Sequence, residues 1–202
     1  MTVCVFDTAT DTVWADSVGM AGGYYTGNVS KVTQIKSPHY VHTIMAAGTS
    51  WLCSAVTARL AEALRKSNVA NMDYLGLQQV IAMYVKNVSP LEGEQDAFDA
   101  MVIEFEVETE RTRIYKFNNA MFPFEFSPKD GELLCVGQQE LCMAVALAHE
   151  VNKENADLVD FKDIDIGDII KRLSKYHAAV SPNLKVSTYN TRGDRIGYSY
   201  VP

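Results

Sequence analysis

Two short runs rich in β-branched and aromatic residues open the chain, at positions 2–6 and 12–16. They flank the polar stretch Asp7-Thr8-Ala9-Thr10-Asp11, a pattern that predicts an antiparallel hairpin. The outer ends of such a hairpin lie side by side, which sets Thr2 next to Asp16. Gly19, Gly22, Gly23 and Gly27 loosen the chain that follows, and 29–35 and 41–47 read as two further strands. Gly48-Thr49-Ser50 then breaks the strand and can cap a helix in which Leu52, Val56, Leu60 and Leu64 recur every four residues. Leu77, Ile81, Tyr84 and Val88 predict a second helix, ending before Pro90.

The pattern then returns to a period of two. Met101, Ile103, Phe105 and Val107 alternate with Val102, Glu104, Glu106 and Glu108, a strand with one mostly charged face, and 113–117 is its hairpin partner. Pro123 interrupts the aromatic run 122–126, which predicts an edge strand or an irregular segment. A strand at 132–136 turns at Gly137 into a third helix, with Leu141, Val145 and Ala148 on one face. Ile166, Ile169, Ile170, Leu173, Tyr176 and Val180 mark a fourth helix, stopped by Ser181-Pro182-Asn183, and 184–189 with 195–201 form a closing hairpin. Strands, two helices, strands, two helices and two strands, without repeats or strict βαβ alternation, predict an antiparallel α+β layered architecture rather than a doubly wound sheet.

Composition narrows the function classes. At 202 residues, with 48% hydrophobic and 21% charged positions, the chain fits one soluble domain spanning 1–202. It carries no apolar run of membrane-spanning length and no basic-then-apolar leader, so a cytoplasmic protein without a membrane partner is expected. A net charge of −7 without a Lys/Arg cluster argues against nucleic acid. The cysteines at 4, 53, 135 and 142 form no CxxC pair and read as buried, reduced thiols.

The remaining polar features read as structural. His39 and His42 have no third ligand at useful spacing, His149 and His177 sit near helix ends, and the Asp160, Asp163, Asp165 and Asp168 segment lacks the register of a calcium loop. Arg192-Gly193-Asp194 reads as a hairpin turn. No cofactor and no metal are expected.

One residue offers chemistry by its position. If Met1 is removed, Thr2 carries a hydroxyl nucleophile and a free α-amine on the same residue. An α-amine titrates near pH 8, roughly, so a sizeable neutral fraction can take the hydroxyl proton without a distant histidine.

Around this threonine the sequence resembles the proteasome β-subunit family of N-terminal nucleophile (Ntn) hydrolases. The resemblance rests on Trp14-Ala15-Asp16-Ser17, Gly27-Asn28-Val29-Ser30-Lys31-Val32 and Met45-Ala46-Ala47-Gly48-Thr49 followed by a helix, and is closest to the bacterial HslV peptidase and the proteasome-like Anbu proteins. It implies a four-layer αββα sandwich, two antiparallel sheets between helix pairs. It also implies site roles: Thr2 as nucleophile, Lys31 as the cation that keeps the amine neutral, and Asp16 as the partner that holds Lys31. The Ala47 backbone N–H would be the oxyanion donor, where the family usually has glycine, and Met45 and Thr49 would flank the substrate pocket. Two positions depart from the family pattern: Gly137-Gln138-Gln139 replaces a Gly/Ser-rich turn whose serine supports the nucleophile, so Gln138 would have to substitute, and Ser181-Pro182-Asn183 matches an Asp-containing segment only loosely.

These readings converge on a threonine peptidase acting on polypeptide substrates in a homo-oligomer, a ring or a helical array. HslV works with an ATP-driven unfoldase, which leaves an ATPase unfoldase open as a partner. A catalytically inactive proteasome-like assembly protein, favoured by Gln138, and an Ntn amidohydrolase of small amides are the alternatives.

Overall fold

Asp7 makes the first turn. Its carboxylate accepts the Ala9 N–H at 2.9 Å and the Thr10 hydroxyl at 2.9 Å, and Asp11 completes the reversal at φ 51°. β1 (Val3–Asp7) and β2 (Thr12–Asp16) therefore pair antiparallel, with Cys4 opposite Ala15 and Val5 opposite Trp14. The structure is a computed structural model that describes residues 3–21, 24–66, 98–118, 123–129, 131–137, 139–154, 166–174, 185–193 and 195–200. Thr2, Gln138, the second expected helix, Asp160, Asp163, Asp165 and His177 lie outside the described residues.

The glycine-rich stretch is more ordered than its composition suggests. β3 (Val18–Ala21) and β4 (Tyr24–Asn28) form a small antiparallel ribbon of their own, irregular at Gly19/Met20. The glycines are interspersed with residues that favour strands, and Gly27 takes φ 132°, which a side chain would rarely tolerate. β5 (Val32–Lys36) starts three residues later than the pattern implied. β6 (Tyr40–Gly48) runs into α1 (Ser50–Lys66), with Leu52, Val56, Leu60 and Leu64 buried as their spacing requires. The later elements are β7 (Phe98–Glu106), β8 (Arg111–Asn118), β9 (Phe124–Phe126), β10 (Leu133–Gly137), α2 (Gln139–Glu154), α3 (Ile166–Ser174), β11 (Lys185–Asn190) and β12 (Arg195–Tyr200).

Two five-stranded antiparallel sheets organise the chain, in the orders β10-β1-β2-β11-β12 and β5-β6-β7-β8-β9. Side-chain alternation gives each sheet two apolar faces. Phe6, Val13 and Leu134 of the first sheet meet Met45, Met101 and Ile103 of the second in an inter-sheet core. The outer face of the second sheet packs Ile44, Val102 and Tyr115 against Leu52, Val56 and Leu60 of α1. The outer face of the first packs Val3, Val5 and Val186 against Val145 of α2 and Ile166, Ile169 and Ile170 of α3. The layers run helix, sheet, sheet, helix. This is an α+β fold with both sheets inside, and Val3, Val5 and Met101 have no solvent exposure.

The structure adds to the reading of β7 and corrects the expectation that all four thiols are buried. On the charged face of β7, Glu104 is buried and Glu106 half-buried: Glu104 accepts from His42 Nε2 at 2.9 Å and from Arg113 at 3.0 Å, so pairing rather than solvent accommodates its charge. His39 meets a different glutamate, Glu108, at 3.1 Å. Of the four free cysteines only Cys4 is buried; Cys53, Cys135 and Cys142 are half-buried. At the Arg192-Gly193 turn the Gly193 N–H donates to the Asn190 carbonyl, and Arg192 pairs with Asp11 at 3.1 Å. No helix among the described residues is long and apolar enough to cross a membrane.

Candidate active site

The register of the first hairpin carries Val3 to Asp16. The Val3 backbone N–H donates to Asp16 Oδ1 at 2.6 Å, so the carboxylate at the end of β2 fixes the backbone at the start of β1. The other oxygen, Asp16 Oδ2, receives Lys31 Nζ at 2.6 Å. Side-chain exposure is 6% for Lys31 and 0% for Asp16, which makes this a buried ion pair rather than a surface one.

Two backbone bonds bring Lys31 there across fifteen positions of sequence. The Val29 N–H donates to the Ser17 carbonyl at 2.8 Å, joining the segment before β5 to the end of β2. The Ala46 N–H donates to the Lys31 carbonyl at 3.3 Å, joining the same segment to β6. Lys31 thus lies where the two sheets approach each other, with its ammonium turned to the first sheet.

A cavity of about 470 Å³ opens beside this pair, between the β5 end of the second sheet and α1. Lys31, Thr33, Ala46, Ala47 and Gly48 line its sheet side, and hydroxyls from Ser54 and Thr57 stand on the helix side. Arg65, in the last turn of α1, also lines it. Cys53 is on the lining as well; burial pushes its thiol up to about 11 against the pull of Lys31, so it is a neutral group rather than a nucleophile.

The expected site residues fall into three groups. Asp16, Lys31 and Ala47 come together at this end of the sandwich. Met45 does not reach the cavity: it has no exposure and packs in the inter-sheet core, because alternation along β6 turns Ala46 toward α1 instead. Thr49 is not among the described lining residues; its carbonyl accepts the Cys53 N–H at 2.9 Å and starts α1. Thr2 and Gln138 are outside the described residues, although their chain neighbours Val3 and Gly137 stand opposite each other in β1 and β10.

The backbone of β6 adds a detail. Since the Ala46 N–H points toward the β5 side, alternation of strand amides turns the Ala47 N–H toward β7 and the Gly48 N–H back to the β5 side, where the cavity lies. Sequence reasoning also missed Asp99. It pairs in register with Ala47, and its carboxylate accepts the N–H groups of Ala100 and Gly137, tying the second sheet to the end of β10. Burial holds its carboxyl above the ordinary aspartate range, opposed by Lys116 and by those two amides. An aspartate at a strand start carries no local signal for such a role.

No protein-family model and no curated protein matches the chain. Solved structures do. The chain superposes on a mutant Anbu protein from Hyphomicrobium sp. strain MC1 with a TM-score of 0.64 at 14% identity, covering 99% of this chain and 86% of that one. Anbu (ancestral beta-subunit) from Yersinia bercovieri gives 0.63 at 12% identity, with 98% and 86% covered. The helical assembly of the Anbu complex from Pseudomonas aeruginosa gives 0.60 at 12%, with 99% and 86% covered. At these identities the likeness shows that the chain shares the fold of the Anbu proteins over nearly its whole length.

Proposed function

We propose that this chain is a threonine-type peptidase whose nucleophile is Thr2 once Met1 has been removed. The observation that carries the reading is the use of both Asp16 oxygens, one by the backbone N–H of the residue that follows Thr2 and the other by Lys31. In this mechanism the α-amine of Thr2 takes the hydroxyl proton as the oxygen attacks a peptide carbonyl. Lys31 disfavours a second positive charge nearby and so favours the neutral amine. The tetrahedral oxyanion is stabilised by a backbone N–H of the Ala47-Gly48 segment, with Gly48 the better directed of the two. The ammonium then protonates the departing amine, an ester remains on Thr2, and water hydrolyses it.

The cavity beside Lys31 is read as the recess for a substrate side chain, with Ala46 rather than Met45 at its wall. We read the chain as a cytoplasmic homo-oligomer. Met143, Leu147 and Val151 form an apolar stripe along α2 at 64, 67 and 45% exposure, the kind of surface that association covers. An ATPase unfoldase remains a partner consistent with polypeptide substrates, identified by no residue here. A non-catalytic assembly role is the second reading, favoured by Gln138 in place of a small hydroxyl residue.

Intact mass of the purified protein before and after a small peptide epoxyketone tests the first reading, because that electrophile needs both the hydroxyl and the free amine of Thr2. A chain lacking Met1 that gains the inhibitor mass is expected, and Thr2→Ala should gain nothing while keeping its circular dichroism. A processed wild-type chain that never forms the adduct would refute the peptidase and leave the assembly role.

A further inference from the structure

Cys135 and Cys142 take no part in the chemistry above, yet the fold sets them together. Cys135 is the third residue of β10 and faces the helix layer; Cys142 is in the first turn of α2, the helix that follows. The Cys135 thiol donates to the Cys142 carbonyl oxygen at 3.9 Å, which brings the two side chains next to each other. Both pack at the margin of the cluster that contains Val3, Val5 and Val145, and both are half-buried.

The other two thiols are in different circumstances. Cys4 is buried completely, and that burial pushes its thiol far up. Burial also holds Cys53 up at about 11. Cys142 alone is shifted toward the thiolate, first through the neighbouring Cys135 thiol, while burial opposes the shift. The pair therefore contains an attacking sulfur and, beside it, a resolving one.

We propose that Cys135 and Cys142 are a peroxide-oxidisable pair, forming a disulfide that clamps the end of β10 to the start of α2. The Cys142 thiolate attacks one oxygen of a hydroperoxide, breaking the O–O bond and giving a sulfenic acid plus water or an alcohol. The Cys135 sulfur then attacks the sulfenic sulfur, its proton leaves with the displaced hydroxide as water, and the S–S bond closes. In sum two thiols are oxidised by two electrons and one hydroperoxide is reduced. The cross-link encloses Gly137, which stands opposite Val3 and donates to Asp99, so oxidation stiffens the turn bordering the Asp16 and Lys31 pair. This does not rest on the peptidase reading.

The full chain, freed of reductant, is treated with one molar equivalent of hydrogen peroxide, unfolded and alkylated with iodoacetamide. The expected result is loss of two hydrogens from the intact mass, a fall from four alkylated cysteines to two, and a peptide map joining Cys135 to Cys142. Cys135→Ser should stop at a sulfenic acid on Cys142 that dimedone captures, and Cys142→Ser should slow thiol loss at least tenfold. Four thiols still alkylatable after a dose that fully oxidises dithiothreitol, or a bond mapped to Cys4, to Cys53 or between chains, would overturn the proposal. The wild-type map decides the matter even if a variant folds poorly, and Cys142→Ala provides a second replacement, this one apolar.

Discussion

Replacing Asp16 by asparagine would remove one negative charge from a buried ion pair. Its Oδ2 holds the Lys31 ammonium at 2.6 Å, and neither side chain exceeds 6% exposure. Asp16→Asn preserves shape and keeps an acceptor for the Val3 N–H, so the change isolates the charge. A buried ammonium left without its counter-ion costs about 3–5 kcal/mol, against about 1 kcal/mol or less for an exposed pair. Lys31→Met keeps most of the stem and strands the carboxylate instead, with a comparable loss. For a chain of this length each single change should lower Tm by on the order of 10 °C. The double variant should lose less than the sum of the two, since an apolar and a neutral polar group can replace a buried pair at small net cost. Urea unfolding followed by circular dichroism measures all four corners of the cycle. Two singles each costing under about 1 kcal/mol, with an additive double, would show that the pair behaves as a solvated one and would refute the reasoning. Both singles should also lose epoxyketone labelling at temperatures where they remain folded.

Other positions give independent checks. Burial raises the Asp99 carboxyl above its ordinary value of 3.8, so the folded state binds that proton more tightly and stability falls as pH rises from 3.8 through the raised value. Asp99→Asn should flatten that part of the pH profile and leave the protein more stable at neutral pH; an unchanged slope in urea titrations would contradict it. Glu104→Ala should cost about 3–5 kcal/mol, because it breaks bonds to both His42 and Arg113 at 3% exposure, whereas Glu106→Ala, 3.6 Å from Arg113 and more exposed, should cost under about 1 kcal/mol. Equal losses would mean that burial does not set the difference. Ala58→Trp, on the exposed side of α1 at the cavity, should leave Tm nearly unchanged and raise KM for peptides with bulky side chains; an unchanged KM would exclude the recess assignment. Leu147→Glu should shift the assembly toward smaller species in mass photometry, and an undisturbed distribution would remove α2 from the interface.

Periodicity was most informative where one face of an element meets water or a single neighbouring layer. The four-residue repeat from Leu52 to Leu64 gave α1, and the alternation from Met101 gave β7, because burial of one face is a local property. It failed where a neighbour distant in sequence sets the environment. The glutamates of β7 read as a charged face, yet Glu104 is buried because His42 and Arg113 arrive from β6 and β8 in register with it. The glycines between 19 and 27 signalled slack, but a paired ribbon satisfies the same backbone. Met45 packs in the inter-sheet core while its neighbour Ala46 lines the cavity, because in a strand one residue's step turns the side chain to the other face.

By itself the sequence determined the class of fold, the first hairpin with Asp16 at its end, and the candidate residues Asp16, Lys31 and Ala47. Each follows from short-range pattern or from motif. The tertiary structure decided that Asp16 divides its two oxygens between Val3 and Lys31, that Asp99 ties Gly137, and that Cys135 meets Cys142. Those contacts depend on sheet register and on which side of a strand a group emerges. Both are fixed only when strands far apart in the chain pair and the layers close on one another.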